Sequence, residues 1–356
     1  MPIDPGTVRQ TVKPAVRPSA GPTKVTLNDV ALLAGVDRSV VSRVVNDDPK
    51  LSVRPETRRR VQETITKLGY RPNAAARSLR TARAYMFGLL IPDFADPVFA
   101  EIISGAERAA GALGYGLMTA SSSGVRLGLT QYLDLLGQGR VDGLLFAGED
   151  SGHELAQLRA STVPWVLINR TLAGSQRFVI LDDERGGELA VRHLIELGHT
   201  RIAHLAGPAD AETSHRRRDG YLSAMARAGL RPEPGHIVHA DYTPAGGALA
   251  LAELLDQPRP PTAVFVANVA SAVGALHAAH ARGVCVPTDL SVIAIHDLPL
   301  ASHLVPSLTC VRMPLEQLGS RALELLASTA PDDPIAETVT EPVELIVRDS
   351  TAPPRD

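Results

Sequence analysis

Five polar residues, Arg38, Ser39, Ser42, Arg43 and Asn46, are interleaved with Val40, Val41, Val44 and Val45. At 3.6 residues per turn the polar five fall on one side of a helix and the valines on the other. A guanidinium presents N–H donors in a rigid fork. That fork clasps paired acceptors such as a guanine edge, a phosphate or a carboxylate. Ser and Asn add single hydrogen bonds of the kind that hold phosphate oxygens. The bland alternative is a polar face turned to water. Other candidate chemistry is thinner. His193, His199 and His204 lack the spacing of metal ligands and read as capping or core histidines, and His277 and His280 have no partner pair. Cys285 and Cys310 stand singly in apolar contexts and read as buried, reduced thiols. Gly186-Gly187 opens a helix without a dinucleotide fingerprint. No Gly-x-Ser-x-Gly elbow, phosphate-binding Walker loop or paired-carboxylate site stands out, so neither catalysis, a metal nor a cofactor is expected.

The elements that must carry the polar face are legible nearby. Thr26 and Asp29 form a T-x-x-D start signal before Leu27, Val30, Ala31 and Ala34 at helical spacing, and Gly35 ends that helix. Asp37 is an N-cap for the short helix bearing Arg38. A loop from Asn46 to Arg54 follows, broken by Pro49, and Pro55 opens a third helix running to Leu68. Two short helices joined by a tight Ala-Gly-Val-Asp turn make a helix-turn-helix, whose second member fits a major groove.

Beyond Met86 the grammar changes to strands alternating with helices. Strands are read at Phe87–Ile91, Gly116–Thr119, Gly143–Phe146, Trp165–Ile168, Ile202–Ala206, Ala263–Ala267 and Ser291–Ile295. Helices are read near Pro97–Leu113, Leu129–Gln138, Gly186–Leu197, Arg217–Ala228 and Ala270–Arg282. Such alternation predicts parallel sheets wound by right-handed crossovers, here as two units with a ligand cleft at the strands' carboxyl ends. The fold class is α/β, with an all-α helix-turn-helix head.

Composition agrees with this division. The 356 residues, 44% apolar and 21% charged, call for more than one globular core. The net charge is −3, unevenly spread: Lys24 to Arg80 holds twelve Lys and Arg against six Asp and Glu. A small basic end on an acidic body suits a phosphate-binding head on a separate sensor. No apolar run approaches the ~20 residues of a membrane span, and Met1–Pro22 has no apolar core of a secretory signal. A cytoplasmic location without membrane contact is expected.

Val25 to Asn46 closely resembles the lactose/galactose repressor family of bacterial regulators. By that resemblance Arg38, Ser39 and Arg43 contact base edges, while Thr26, Ser42 and Asn46 suit phosphate contacts. Arg54 departs from the family by standing where many relatives place a Ser cap. The following Tyr70-Arg-Pro-Asn-Ala-Ala-Ala-Arg-Ser-Leu-Arg80 matches the family's hinge, a helix too short to persist alone in water. The resemblance implies that it folds when two copies pair in the minor groove, with Tyr70, Asn73, Ala76 and Arg80 on the DNA and Leu79 wedged between base steps.

Nearly all of residues 86–350 resemble the same family's effector domain, itself similar to periplasmic sugar-binding proteins. The resemblance rests on Gly88-Leu-Leu-Ile-Pro-Asp93, Pro97–Ile103, Gly139–Leu145, His193–Ala203, Arg217-Arg-Asp-Gly-Tyr221, Pro261–Asn268 and Pro306–Thr309. It implies effector contacts from Phe99, Asn169, Thr213, Arg217, Phe265, Asn268 and His296, with Phe99 and Phe265 as apolar walls. His296 replaces the first Asp of an Asp pair and Val269 replaces another Asp, so an anionic effector is weighed beside a sugar or sugar derivative. The implied boundaries are a disordered tail 1–23, a DNA-binding head 24–70, a hinge and linker 71–84, and an effector and dimerisation domain 85–356. The lobes take about 85–183 with 312–333, and about 184–311 with 334–356.

The resemblance implies a homodimeric repressor that binds a pseudo-palindromic operator and is controlled by a small molecule. The competing reading is a solute-binding protein of the periplasmic type without DNA function, against which the complete head stands. An enzyme is the third class, with no catalytic constellation behind it.

Overall fold

The computed structural model describes residues 25–46, 48, 50–70, 78, 81, 83–122, 129–137, 139–148, 152–340 and 342–355. The chain divides into two compact units, Met1–Thr81 and Ala82–Asp356. The tail 1–23 and most of the segment expected as a hinge lie outside the described residues.

In the first unit, α1 spans Leu27–Ala34, α2 Arg38–Val45 and α3 Pro55–Leu68. Thr26 and Asp29 form a reciprocal capping box at the start of α1, and Gly35 ends it at φ 62°, a left-handed conformation that glycine adopts without strain. The Asp37 carboxylate accepts from the Ser39 N–H at 2.7 Å and starts α2. Arg54 precedes α3 without a side-chain cap, and Pro55 provides the first helical residue. Val30, Ala31, Ala34, Val41, Val44 and Val61 form the core of this unit. Each of the fully buried Val30, Val41 and Val61 contributes about 1.5–3 kcal/mol relative to exposure.

The second unit holds two six-stranded sheets. The first has the order β11-β5-β4-β3-β1-β2, built from β1 Met86–Ile91, β2 Gly116–Ser121, β3 Gly143–Phe146, β4 Trp165–Ile168, β5 Arg177–Leu181 and β11 Ile335–Val339. All of its pairings are parallel. The second has the order β12-β10-β9-β8-β6-β7, from β6 Ile202–Ala206, β7 Ile237–His239, β8 Ala263–Val266, β9 Ser291–Ile295, β10 Thr309–Arg312 and β12 Glu344–Ile346. Here only β12 runs antiparallel. Crossover helices are α4 Val98–Ala112, α5 Leu129–Gly137, α6 Gly152–Ala160, α7 Asp183–Glu196, α8 Glu212–Arg227, α9 Pro244–Leu255, α10 Val269–Ala281 and α11 Leu315–Ser328. No helix among the described residues is long and apolar enough to cross a membrane.

Two expectations change. Residues 334–339 belong with the first lobe, because β11 pairs with β5 from Ile335 to Val339, and the final crossing follows Val339. This edge strand alternates buried and exposed residues, so it lacks the apolar run that betrays an interior strand. Cys285 is exposed, whereas Cys310 is buried and burial pushes its thiol up to about 12. The three singled-out histidines take structural places. His193 bonds Thr351, His199 bonds Thr262, Ser291 and the Ala352 carbonyl, and His204 stacks on Phe265 with centroids 4.5 Å apart.

Candidate functional site

The polar face of α2 lies as its spacing predicts. Arg38, Ser39, Arg43 and Asn46 are exposed and Ser42 is half-buried, opposite buried Val41 and Val44. Arg43 lies 3.8 Å from Asp48 in a solvent-exposed pair, too weak to withhold the guanidinium from another acceptor. The Asn46 amide donates to the Ser42 carbonyl and Thr26 is exposed at its cap. Tyr70 packs against the head's core, where burial raises its hydroxyl pKa while the Arg38 charge opposes that rise. Asn73, Ala76, Leu79 and Arg80 lie outside the described residues.

Between the two sheets of the second unit lies a cavity of about 480 Å³, within the size range of small-molecule sites. Its walls follow the carboxyl ends of strands: Pro92–Phe99 after β1, Asn169 and Arg170 after β4, Thr213 after β6, Tyr242 after β7, Asn268 after β8 and His296 after β9. Six of the seven residues expected to hold an effector line it: Phe99, Asn169, Thr213, Arg217, Asn268 and His296. Phe265 does not. It sits in the middle of sheet pairing on β8, fully buried and stacked on His204. Strand alternation turned its ring into the core.

Close helix packing builds the polar centre. A Cβ on Gly187 of α7 would lie 2.6 Å from the Arg217 carbonyl, so only glycine lets α7 and α8 approach this closely. That approach sets Asp183, at the start of α7, against Arg216 and Arg217 of α8. Arg217 Nε donates to Asp183 Oδ1 at 2.7 Å and its Nη1 to the Ala267 carbonyl at 2.9 Å. Arg216 Nη2 donates to Asp183 Oδ2 at 2.6 Å and to the Asn169 carbonyl at 3.3 Å, and Nη1 to Glu212. Burial alone would raise the Asp183 pKa, but the charges and hydrogen bonds of Arg217 and Arg216 hold it below the usual carboxylate range.

The remaining polar groups are similarly fixed. The hydroxyls of Thr213 and Tyr242 lie 2.9 Å apart, and the Asn268 amide donates to the Tyr242 carbonyl at 3.3 Å. His296 is buried, with burial and then the Arg217 charge pushing its pKa down to about 3. It is neutral at physiological pH. Its Nε2 faces Arg217 Nη2 at 3.5 Å, while Nδ1 and the Asn169 Oδ1 are buried without a hydrogen-bond partner. Both residues have left-handed backbones, φ 75° for His296 and φ 67° for Asn169, a strained choice that recurs at ligand sites. Asp96 also lines the cavity, and burial raises its carboxyl pKa despite the Val98 N–H and Arg217.

Sequence reasoning missed Asp183, Arg216, Tyr242 and Asp96. Asp183 was signalled by an Asp-Asp pair closing an apolar stretch, but β5 before it had not been read as a strand. Tyr242 follows the three-residue β7, too short for a periodic signal.

Residues 26–73 match the bacterial regulatory proteins of the lacI family, and residues 191–351 match a periplasmic binding protein-like domain. The ribose operon repressor of Escherichia coli (strain K12) is 38% identical over 305 residues, covering 85% of this chain and 92% of that protein. The chain belongs to the LacI family. Among solved structures, the lac repressor dimer bound to operator and the anti-inducer ONPF matches this LacI-family protein with a TM-score of 0.81 at 28% identity, over 93% of this chain and 100% of that one. A LacI family regulator from Enterococcus faecium with bound ribose matches with a TM-score of 0.66 at 27% identity, over 75% and 99% of the two chains. Family membership makes the protein a transcriptional regulator, with the helix-turn-helix head and the paired parallel sheets that its sequence predicts.

Proposed function

We propose that the protein is a cytoplasmic, homodimeric repressor whose affinity for a pseudo-palindromic operator is set by a neutral sugar in the cavity between its lobes. It acts by binding and not by catalysis. Arg38, Ser39 and Arg43 read base edges, Thr26, Ser42 and Asn46 hold phosphates, and the segment with Asn73, Ala76, Leu79 and Arg80 closes on the minor groove beside Tyr70.

One observation carries the effector reading: the guanidinium of Arg217 enters the cavity already matched by the carboxylate of Asp183. Its charge is not spare for an anion. With His296 neutral, and Asp93, Asp96 and Asp210 on the walls against the further cation Arg170, the cavity favours hydroxyl groups over carboxylate or phosphate. Phe99 supplies the flat apolar wall on which a sugar ring stacks. The relatives named for ribose place a pentose first among the sugars to test.

Thermal melting of the full chain with neutral pentoses and hexoses, and with the corresponding sugar acids and sugar phosphates, tests this reading. A neutral monosaccharide raises the melting temperature and a sugar acid does not. Stabilisation by the acids alone would overturn it. A gel shift on the DNA upstream of the protein's own coding sequence separates a repressor from a solute-binding protein.

A further inference from the structure

The first lobe holds a second buried arginine whose surroundings are the reverse of those of Arg217. Arg177 begins β5 and is 7% exposed. Its Nε donates to the Trp165 carbonyl at 2.9 Å, and its Nη1 to the carbonyls of Ala330, at 3.0 Å, and Asp333. Nη2 is buried and has no acceptor. Among the described residues no carboxylate pairs with it.

Carbonyl oxygens satisfy N–H groups but do not neutralise a charge, and a buried cation is costly without an anionic partner. Desolvation accordingly lowers the Arg177 pKa, against the opposing pull of the Asp333 and Asp332 charges. A cavity of about 260 Å³ opens beside it, lined by Arg159, Ser161, Thr162, Gln176, Arg177 and Asp332 among others. It offers a second guanidinium, two hydroxyls and an amide. Its one carboxylate, Asp332, is exposed, so water screens its repulsion.

We propose that this cavity binds a phosphate-type oxyanion, either inorganic phosphate or the phosphate of a small monoester. Every strand of the first sheet runs parallel, so the starts of β4, β5 and β11 share the edge at which the chain enters β1. The effector cavity lies at the opposite edge. The two sites therefore stand at opposite ends of the strands of one lobe and bind independent ligands. A guanidinium fork with flanking hydroxyls matches the several acceptor oxygens of phosphate.

Isothermal titration calorimetry of the full chain with inorganic phosphate, at an ionic strength fixed with chloride, tests the proposal. Parallel arms use glycerol 3-phosphate and acetate. Phosphate or glycerol 3-phosphate gives a saturable isotherm, the tighter of the two identifies the source, and acetate gives none. Arg159→Ala weakens binding by about tenfold or more, the loss of one charge-assisted hydrogen bond. Arg177→Gln abolishes binding. Should Arg177→Gln fail to fold, Arg159→Ala and Ser161→Ala decide the matter. No saturable binding of either phosphate, equal binding of acetate, or undiminished binding by Arg159→Ala overturns the proposal.

Discussion

Asp183 and Arg217 are joined by a 2.7 Å hydrogen bond between groups that are both buried, and the second oxygen of the same carboxylate holds Arg216 at 2.6 Å. One carboxylate thus fixes a guanidinium that lines the cavity and another that reaches the Asn169 carbonyl of the opposite lobe. Replacing it with Asp183→Asn leaves two partly desolvated cations short of a counter-charge. We expect a loss of about 3–5 kcal/mol in unfolding free energy, read from urea denaturation of the full chain, together with weakened effector binding.

Arg216 is the natural test of how the cavity communicates with the rest of the lobe pair. It ties the second lobe to the first through Asn169, and its partner Glu212 accepts from the Thr171 N–H at 3.3 Å. Arg216→Gln is expected to bind effector with little change while the effector alters operator affinity less than in the parent. A coupling free energy of about 1–3 kcal/mol is typical of such switches. Operator titrations with and without effector, compared between the two proteins, measure it.

The two phenylalanines paired by sequence reasoning should separate cleanly. Phe99 lines the cavity, whereas Phe265 fills the core against His204. Phe265→Ala is expected to cost about 3–5 kcal/mol of stability. Phe99→Ala is expected to reduce effector affinity most, with the smaller stability loss. Denaturation midpoints and effector titrations on both variants check this.

Acid sensitivity follows from the buried histidines. His296 and His204 are both pushed down to about 3, mainly by burial, from an ordinary value of 6.5. Between those limits the unfolded chain binds protons at these rings and the folded chain does not. Stability therefore falls as pH drops below about 6.5, by roughly 1.4 kcal/mol per unit for each ring. His296→Gln should remove one proton's worth of that slope, visible in denaturation midpoints measured from pH 7 to pH 5. Asp183 acts in the same direction only below the carboxylate range, so it does not confuse this window.

How much the sequence disclosed depended on how local each signal was. The head was legible because its information is local: a Thr26–Asp29 box, Gly35, Asp37 and Pro55 mark the start of each helix and the end of the first within about 30 residues. Most interior strands were legible as apolar runs, but β5 and β10, which open on Arg177 and Thr309 and are only five and four residues long, were not. Nor were the edge strand β11 and the short β7, because exposed or brief strands carry no such run. In the cavity, the family resemblance pointed to Asn169, Asn268 and His296, which stand just beyond strand ends. Asp183 and Arg216 are partners only through the contact of α7 with α8, a relationship between residues 33 positions apart that no spacing rule encodes. Phe265 was misplaced because inward and outward positions of a fully buried strand read alike.

If α2 reads duplex DNA under the control of the cavity, operator affinity must depend both on sequence and on the bound sugar. The most direct test is a fluorescence-anisotropy titration of the full chain against its upstream DNA and against random duplex, at fixed salt, with and without a stabilising sugar. The expected result is preference for the upstream DNA, a sugar-dependent change in that affinity, and a loss of about tenfold or more in Arg38→Ala, from about 1–3 kcal/mol per base contact. Equal affinity for both duplexes in every ligand state, unchanged by Arg38→Ala, would contradict it.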